Sequence, residues 1–139
     1  MTNENQTKDQ TRKFFIYARK STDSEDRQVR SIGDQIAELK ELAKKENIDV
    51  IDILVEKQTA KAPGRPVFAE MLKRIEAGEA TGILAWHPDR LARNSVDGGQ
   101  IIYLVDTEII KELKFPTFWF DPTPQGKFML SIAFGQSKY

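Results

Sequence analysis

The chain has no cysteine and a single histidine among its 139 residues. Disulfide frameworks, zinc ribbons, thiol catalysis and multi-histidine metal sites are therefore excluded. No apolar run approaches the roughly 20 residues of a membrane span. The opening stretch, Met1 to Lys13, is polar and lacks the apolar centre of a signal peptide, so a cytoplasmic, membrane-free protein is expected. Net charge is also missing. Twenty-one basic residues balance twenty-one acidic ones, so the domain has no general positive field for holding nucleic acid, although a local basic site remains open. Glycine-rich phosphate loops are absent too: no strand is followed by G-x-x-x-x-G-K-[ST] or G-x-G-x-x-G. What remains for chemistry is hydroxyls, carboxylates, lysines and arginines.

A chain of this length suits one domain that buries roughly two thirds of its unfolded surface without cross-links. Residues 1–12 are nearly all polar or charged and read as a disordered tail. The first apolar run, within 13–18, reads as a strand ending at Arg19, Lys20 and Ser21. Ile32, Ile36, Leu39 and Ala43 then recur at helical spacing, and Asn47 and Ile48 close that helix. Residues 49–55 form a second, almost continuously apolar strand, the pattern of a strand covered on both faces. Strand, helix and strand make a βαβ unit with parallel strands.

Residues 56–65 lack periodicity and are expected to form a long mobile loop. Pro66 opens a helix with Phe68, Met71, Leu72 and Ile75 on its buried stripe, and Gly78 stops it. Further strands are expected at 82–86 and 115–120, with a helix capped by Ser95 between them. The aromatics of 115–120 are assigned to the core, because no basic residue interleaves them as in a base-stacking surface. A last helix begins near Gln125, with Phe128, Met129, Ile132 and Ala133 on one side, and runs to the end at Tyr139. The expected architecture is α/β: a mostly parallel central sheet of four to five strands flanked by helices.

In such sheets ligands bind at the carboxyl ends of the strands. Ser21 stands there, directly after the first strand, with Arg19 as its nearest fixed cation. It is a candidate nucleophile, although an ordinary turn in which the hydroxyls satisfy backbone groups explains the same residues. After the third strand come His87, Pro88, Asp89, Arg90 and Arg93. If this segment is helical, Arg90 and Arg93 share a face and Asp89 reaches Arg93, while His87 reads as a loop residue. Gln35 flanks the apolar stripe of its helix, and on spacing alone it is a solvated surface residue. Arg65 ends the long loop. Guanidinium forks match phosphate oxygens and stay charged, so Arg19, Arg65, Arg90 and Arg93 around one hydroxyl suit attack on a phosphodiester without a metal. Two rival readings remain open: an anion- or partner-binding domain without chemistry, and a metal-dependent phosphoesterase using Asp23, Glu56 and Asp89.

Four separated motifs then carry a resemblance. Tyr17-Ala18-Arg19-Lys20-Ser21, Ser31-Ile32-Gly33-Asp34-Gln35, Gly64-Arg65-Pro66-Val67-Phe68 with Met71-Leu72, and Asp89-Arg90-Leu91-Ala92-Arg93-Asn94 resemble, in order and spacing, the catalytic domain of the serine recombinases, the resolvase and invertase family. The loop around Gly64 and the strand at Ile83 to Trp86 look most like the large members, the phage integrases and transposon-encoded recombinases. The resemblance implies a resolvase-like catalytic domain over residues 13–124, with residues 125–139 beginning a long C-terminal helix. It implies that Ser21 attacks a DNA phosphodiester to give a 5′-phosphoserine, that Arg19, Arg90 and Arg93 clamp the phosphate, and that Arg65 completes the site. Gln35 and Asp89 would orient groups or assist proton transfer. The implied partners are DNA recombination sites and further copies of the chain, as homodimer and synaptic homotetramer of the full-length protein. No cofactor or metal is implied.

Overall fold

The structure, a computed structural model, describes residues 12–19, 31–57 and 64–136. Along the chain run β1 (Lys13–Arg19), α1 (Ile32–Glu46), β2 (Asp49–Glu56), α2 (Pro66–Glu76), β3 (Gly82–Leu84), α3 (Pro88–Leu91), α4 (Ser95–Asp106), β4 (Glu112–Lys114) and α5 (Pro124–Gln136). The four strands pair in parallel in the order β2-β1-β3-β4. This is the expected α/β sheet with helices on both faces.

The first strand is the centre of the fold, and its alternation explains why. Phe14 and Ile16 point to one face and pack with Leu39 and Ala43 of α1, Ile48 and Leu84. Phe15 and Tyr17 point to the other, into a larger core with Phe68, Met71 and Ile75 of α2 and with Ile101 and Leu104 of α4. β3 lies close against β1 because residue 82 is glycine: a Cβ there would fall 2.5 Å from the Phe14 ring. Helix ends follow the expected chemistry. Ser31 caps α1, Asn47 closes it in the left-handed region at φ 63°, and Pro66 occupies the first turn of α2.

Four expectations are corrected. β2 is an edge strand rather than one covered on both faces, with Ile51 and Val55 exposed. Its polar interruption, Asp52, is the mark of that edge and pairs with Arg74 at 3.0 Å. The last strand is Glu112–Lys114, not residues 115–120. Pro116 and Thr117 instead occupy a turn closed by a Phe115–Phe118 bridge, and the Thr117 hydroxyl donates to the Trp86 carbonyl at 2.6 Å. Proline cannot extend the ladder, so pairing stops before it. Trp119 is not core: it is 81% exposed, with the Lys114 ammonium 5.7 Å from its ring centroid. Finally, α5 turns Leu130, Ala133 and Phe134 inward, while Phe128, Met129 and Ile132 face solvent. Phe134 docks against α4 at Gly98, where an added Cβ would meet its ring at 2.9 Å. Among the described residues no helix is long and apolar enough to cross a membrane.

Candidate functional site

The strand order reverses at β1. From it the chain crosses to β2 on one side and later to β3 and β4 on the other, with α1 covering one face and α2 the opposite one. Such a switch point opens a crevice at the carboxyl ends of the two strands that flank it. Arg19 is the last residue of β1, and Asp89, Arg90 and Arg93 follow β3, so the topology itself delivers these groups to one place.

Arg19, Arg90 and Arg93 are all buried, the first two to 1% exposure. An Arg19 Nη2 hydrogen donates to the Asp89 carbonyl at 3.4 Å, and Arg19's own carbonyl accepts from Gln35 Nε2 at 3.4 Å. Burial, followed by the charge of Arg90, pushes the Arg19 guanidinium down to about 10, and Arg93 pushes the same way. It remains charged at neutral pH. The nearby carboxylate is Asp89, whose Oδ1 lies 3.5 Å from Arg90 Nη1 and 3.3 Å from His87 Nδ1. Burial alone would raise the Asp89 carboxyl, but the hydrogen bond with His87 and the charge of Arg90 more than offset it and hold the group below the ordinary carboxylate range. When His87 Nδ1 carries no hydrogen it instead caps α3, accepting from the Asp89 amide at 3.3 Å. The expected sharing of one helix face by Arg90 and Arg93 is not seen: α3 ends at Leu91, and Ala92 is extended, which separates the two arginines along the backbone.

Gln35 is not a solvated surface residue. It is 1% exposed and stands four residues before Leu39 and eight before Ala43, in register with the buried stripe of α1. A polar residue occupying a position that helical spacing assigns to the core was the signal available in the sequence.

Arg65 occupies a different environment from the expected loop. Gly64, at φ 99°, delivers it to the N-cap of α2, where it is 2% exposed. Its Nη1 donates to the Tyr17 hydroxyl at 2.9 Å, its Nη2 pairs with Asp97 Oδ2 at 2.9 Å and also donates to the Leu91 carbonyl, and its guanidinium carbon sits 3.9 Å from the Phe68 ring centroid. Asp97 is fixed in turn by Asn94, whose Nδ2 donates to Oδ2 at 3.1 Å and whose Oδ1 accepts from the Asp97 amide at 2.8 Å. Asn94, not Ser95, is therefore the cap of α4. The spacing Asn94-x-x-Asp97 is a capping signature that the sequence carried. Glu56, expected to begin the loop, ends β2 and is buried. Its Oε1 accepts from the Tyr17 hydroxyl at 2.8 Å and the Phe68 amide at 2.7 Å, and its Oε2 from the Val67 amide at 3.2 Å, so it neutralises the start of α2. Burial first, and then Glu56, push the Tyr17 phenol up, with Arg65 opposing.

Ser21 and Asp23 lie outside the described residues, as do residues 58–63 of the expected loop and the tail to residue 11. Among the described residues no three histidine or acidic side chains gather in a metal-binding cluster.

The family model described as the resolvase N-terminal domain matches residues 14–138. No curated protein matches the chain. Among solved structures, the N-terminal catalytic domain of TP901-1 integrase is similar with a TM-score of 0.68 at 24% identity, over 88% of this chain and 91% of that one. A resolvase family site-specific recombinase from Streptococcus pneumoniae gives 0.65 at 19%, over 88% and 83%. The C-terminal catalytic domain of ISC1926 TnpA, an IS607-like serine recombinase, gives 0.61 at 22%, over 74% and 68%. At these identities the likeness is one of fold.

Proposed function

The chain belongs to the resolvase N-terminal domain family, and on that premise we propose that it is the catalytic domain of a site-specific serine recombinase that cuts and rejoins DNA. One observation carries the reading: three buried arginines, Arg19, Arg90 and Arg93, stand with Asp89 at the sheet's switch point. Guanidinium forks gathered at one strand end match the oxygens of a scissile phosphate and stabilise the charge that develops on them.

In this reading Ser21, two residues beyond Arg19, attacks the phosphorus through Oγ. The P–O3′ bond breaks, a 5′-phosphoserine forms, and the 3′-oxygen leaves as a hydroxyl, gaining one proton as the serine loses one. Arg19, Arg90 and Arg93 stabilise charge on the phosphoryl oxygens. Gln35 holds the backbone at Arg19 through its carbonyl, and Asp89 orients Arg90. Religation after exchange of partners in a tetramer of the full-length protein would reverse the chemistry in the cytoplasm. Glu56 is committed to Tyr17 and to two amides of α2, which disfavours its use as a metal ligand with Asp23 and Asp89.

The test is trapping of a covalent protein–DNA adduct by the full-length protein on its recombination site. Wild type should form the adduct with or without EDTA, and Ser21→Ala should bind the site but form none. Adduct surviving Ser21→Ala, or cleavage lost on chelation, would sink the serine mechanism. Intact binding with no adduct from wild type would leave an anion-binding domain without chemistry.

A further inference from the structure

Beneath the arginine cluster lies a second, separate group of buried polar side chains. Tyr17, Glu56, Arg65, Asn94 and Asp97 are each under 9% exposed and come from β1, β2, the start of α2 and the start of α4. Such a group is a poor way to gain stability, because desolvating charges costs about as much as their pairing returns. Its geometry has a direction. The last carbonyls of a helix have no partner within it, and the Leu91 carbonyl at the end of α3 is met by Arg65 Nη2. Leu91 stands between Arg90 and Arg93. The guanidinium that meets it is fixed on its other sides by Asp97, the Tyr17 hydroxyl and the Phe68 ring.

We infer that Asp97 is a positioning residue: held by Asn94, it sets the Arg65 guanidinium, which braces the Leu91 carbonyl and so fixes the turn that presents Arg90 and Arg93. Arg65 is then a brace beneath the cluster, with its Nη atoms facing protein groups. This deepens the phosphate-site reading and rests on it for its consequence, but the brace itself is a statement about Arg90 that can be measured without DNA cleavage. Asp97→Asn keeps the shape and the bonds to Asn94 while removing the charge that orients Arg65. Asp97→Glu keeps the charge.

The experiment follows arginine side-chain Nε–Hε resonances in the ¹⁵N-labelled 139-residue chain, with Arg74, a surface residue paired to Asp52 and Glu79, as the reference. Asp97→Asn should shift the Arg90 resonance, leave Arg74 in place, and weaken inorganic sulfate binding at the cluster about tenfold, the size of one lost charge-assisted hydrogen bond. Asp97→Glu should recover part of both effects. A lower melting temperature with the Arg90 resonance and sulfate affinity unchanged would overturn the proposal and leave Asp97 a purely structural ion pair. Should Asp97→Asn fail to fold, Tyr17→Phe removes another Arg65 contact while keeping the ring, and the same shift of Arg90 decides. Absence of sulfate binding by wild type would count against the phosphate site alone, since the Arg90 resonance still tests the brace.

Discussion

Two groups of charge sit at opposite ends of the same sheet and obey different rules. At the amino end, Arg12 lies between Glu112 at 2.8 Å and Glu46 at 3.6 Å, and Lys114 also reaches Glu46 at 3.6 Å. Two cations meet two carboxylates at the half-buried surface, and the hydrogen bond to Glu112, ahead of its desolvation, holds the Arg12 guanidinium above its ordinary value. At the carboxyl end three deeper arginines lie near Asp89, whose carboxylate meets Arg90 and whose carbonyl accepts from Arg19, and burial pushes the Arg19 guanidinium the opposite way. The first group is balanced within the protein and ties α1 and β4 to the base of β1. The second is more deeply buried and rich in guanidinium groups, the forks that match phosphate oxygens in the proposed function. Arg12 at the amino end is part-exposed, whereas Arg19 and Arg90 at the carboxyl end are 1% exposed, so depth of burial separates the two groups.

The largest effect should come from breaking the brace beneath the carboxyl end. Arg65→Met leaves Asp97 buried and unpaired, and should destabilise the fold by about 3–5 kcal/mol in denaturant titration. A loss under 1 kcal/mol would mean that Asp97 finds another partner or water. Next, Arg90→Lys keeps charge but loses the planar fork, and should slow adduct formation by about 10²–10³ with near-native thermal stability. An equal loss of stability would assign Arg90 to the framework, like Arg12. At the balanced end, Arg12→Ala should cost about 1 kcal/mol or less, diminish in high salt, and leave sulfate binding at the other end unchanged. Smallest is the pH effect of Asp89. Its folded carboxyl titrates below its unfolded one, so its stabilising contribution is present above the ordinary carboxylate pKa of 3.8 and is lost as pH falls through the lower folded value. The melting-temperature difference between wild type and Asp89→Asn should therefore shrink as pH drops below about 4. A difference independent of pH would show that charge on Asp89 contributes nothing.

Where local pattern and final environment agree, the sequence was sufficient. β1, α1 and α2 were readable because alternation, caps and the Pro66 start all pointed the same way. β4 was hidden because Glu112-Leu113-Lys114 offers one apolar residue, whereas the neighbouring Phe115 to Phe120 looks more strand-like until Pro116 is treated as a stop. β2 misled in the opposite sense, since β-branched residues suit an edge as well as a centre. The arginines of the site could be grouped from their strand-end positions and from the resemblance to the serine recombinases. That Arg65 is embedded with Asp97, Tyr17 and Glu56 could not, because those partners come from distant parts of the chain and meet only across the finished sheet.

The position of β1 at the centre of that sheet also orders events in time. β1, α1 and β2 are contiguous, so this unit can close soon after it is synthesised. The other edge of β1 must wait for β3, at about twice the sequence separation, which adds only ~0.6 kcal/mol of closure entropy but delays contact. Arg19 belongs to the early unit, and Arg90 and Arg93 arrive with the late one. Their mutual repulsion is therefore incurred only when Phe14 to Ile16 have paired with Gly82 to Leu84, so the like charges add no repulsion of their own to the first stage of folding.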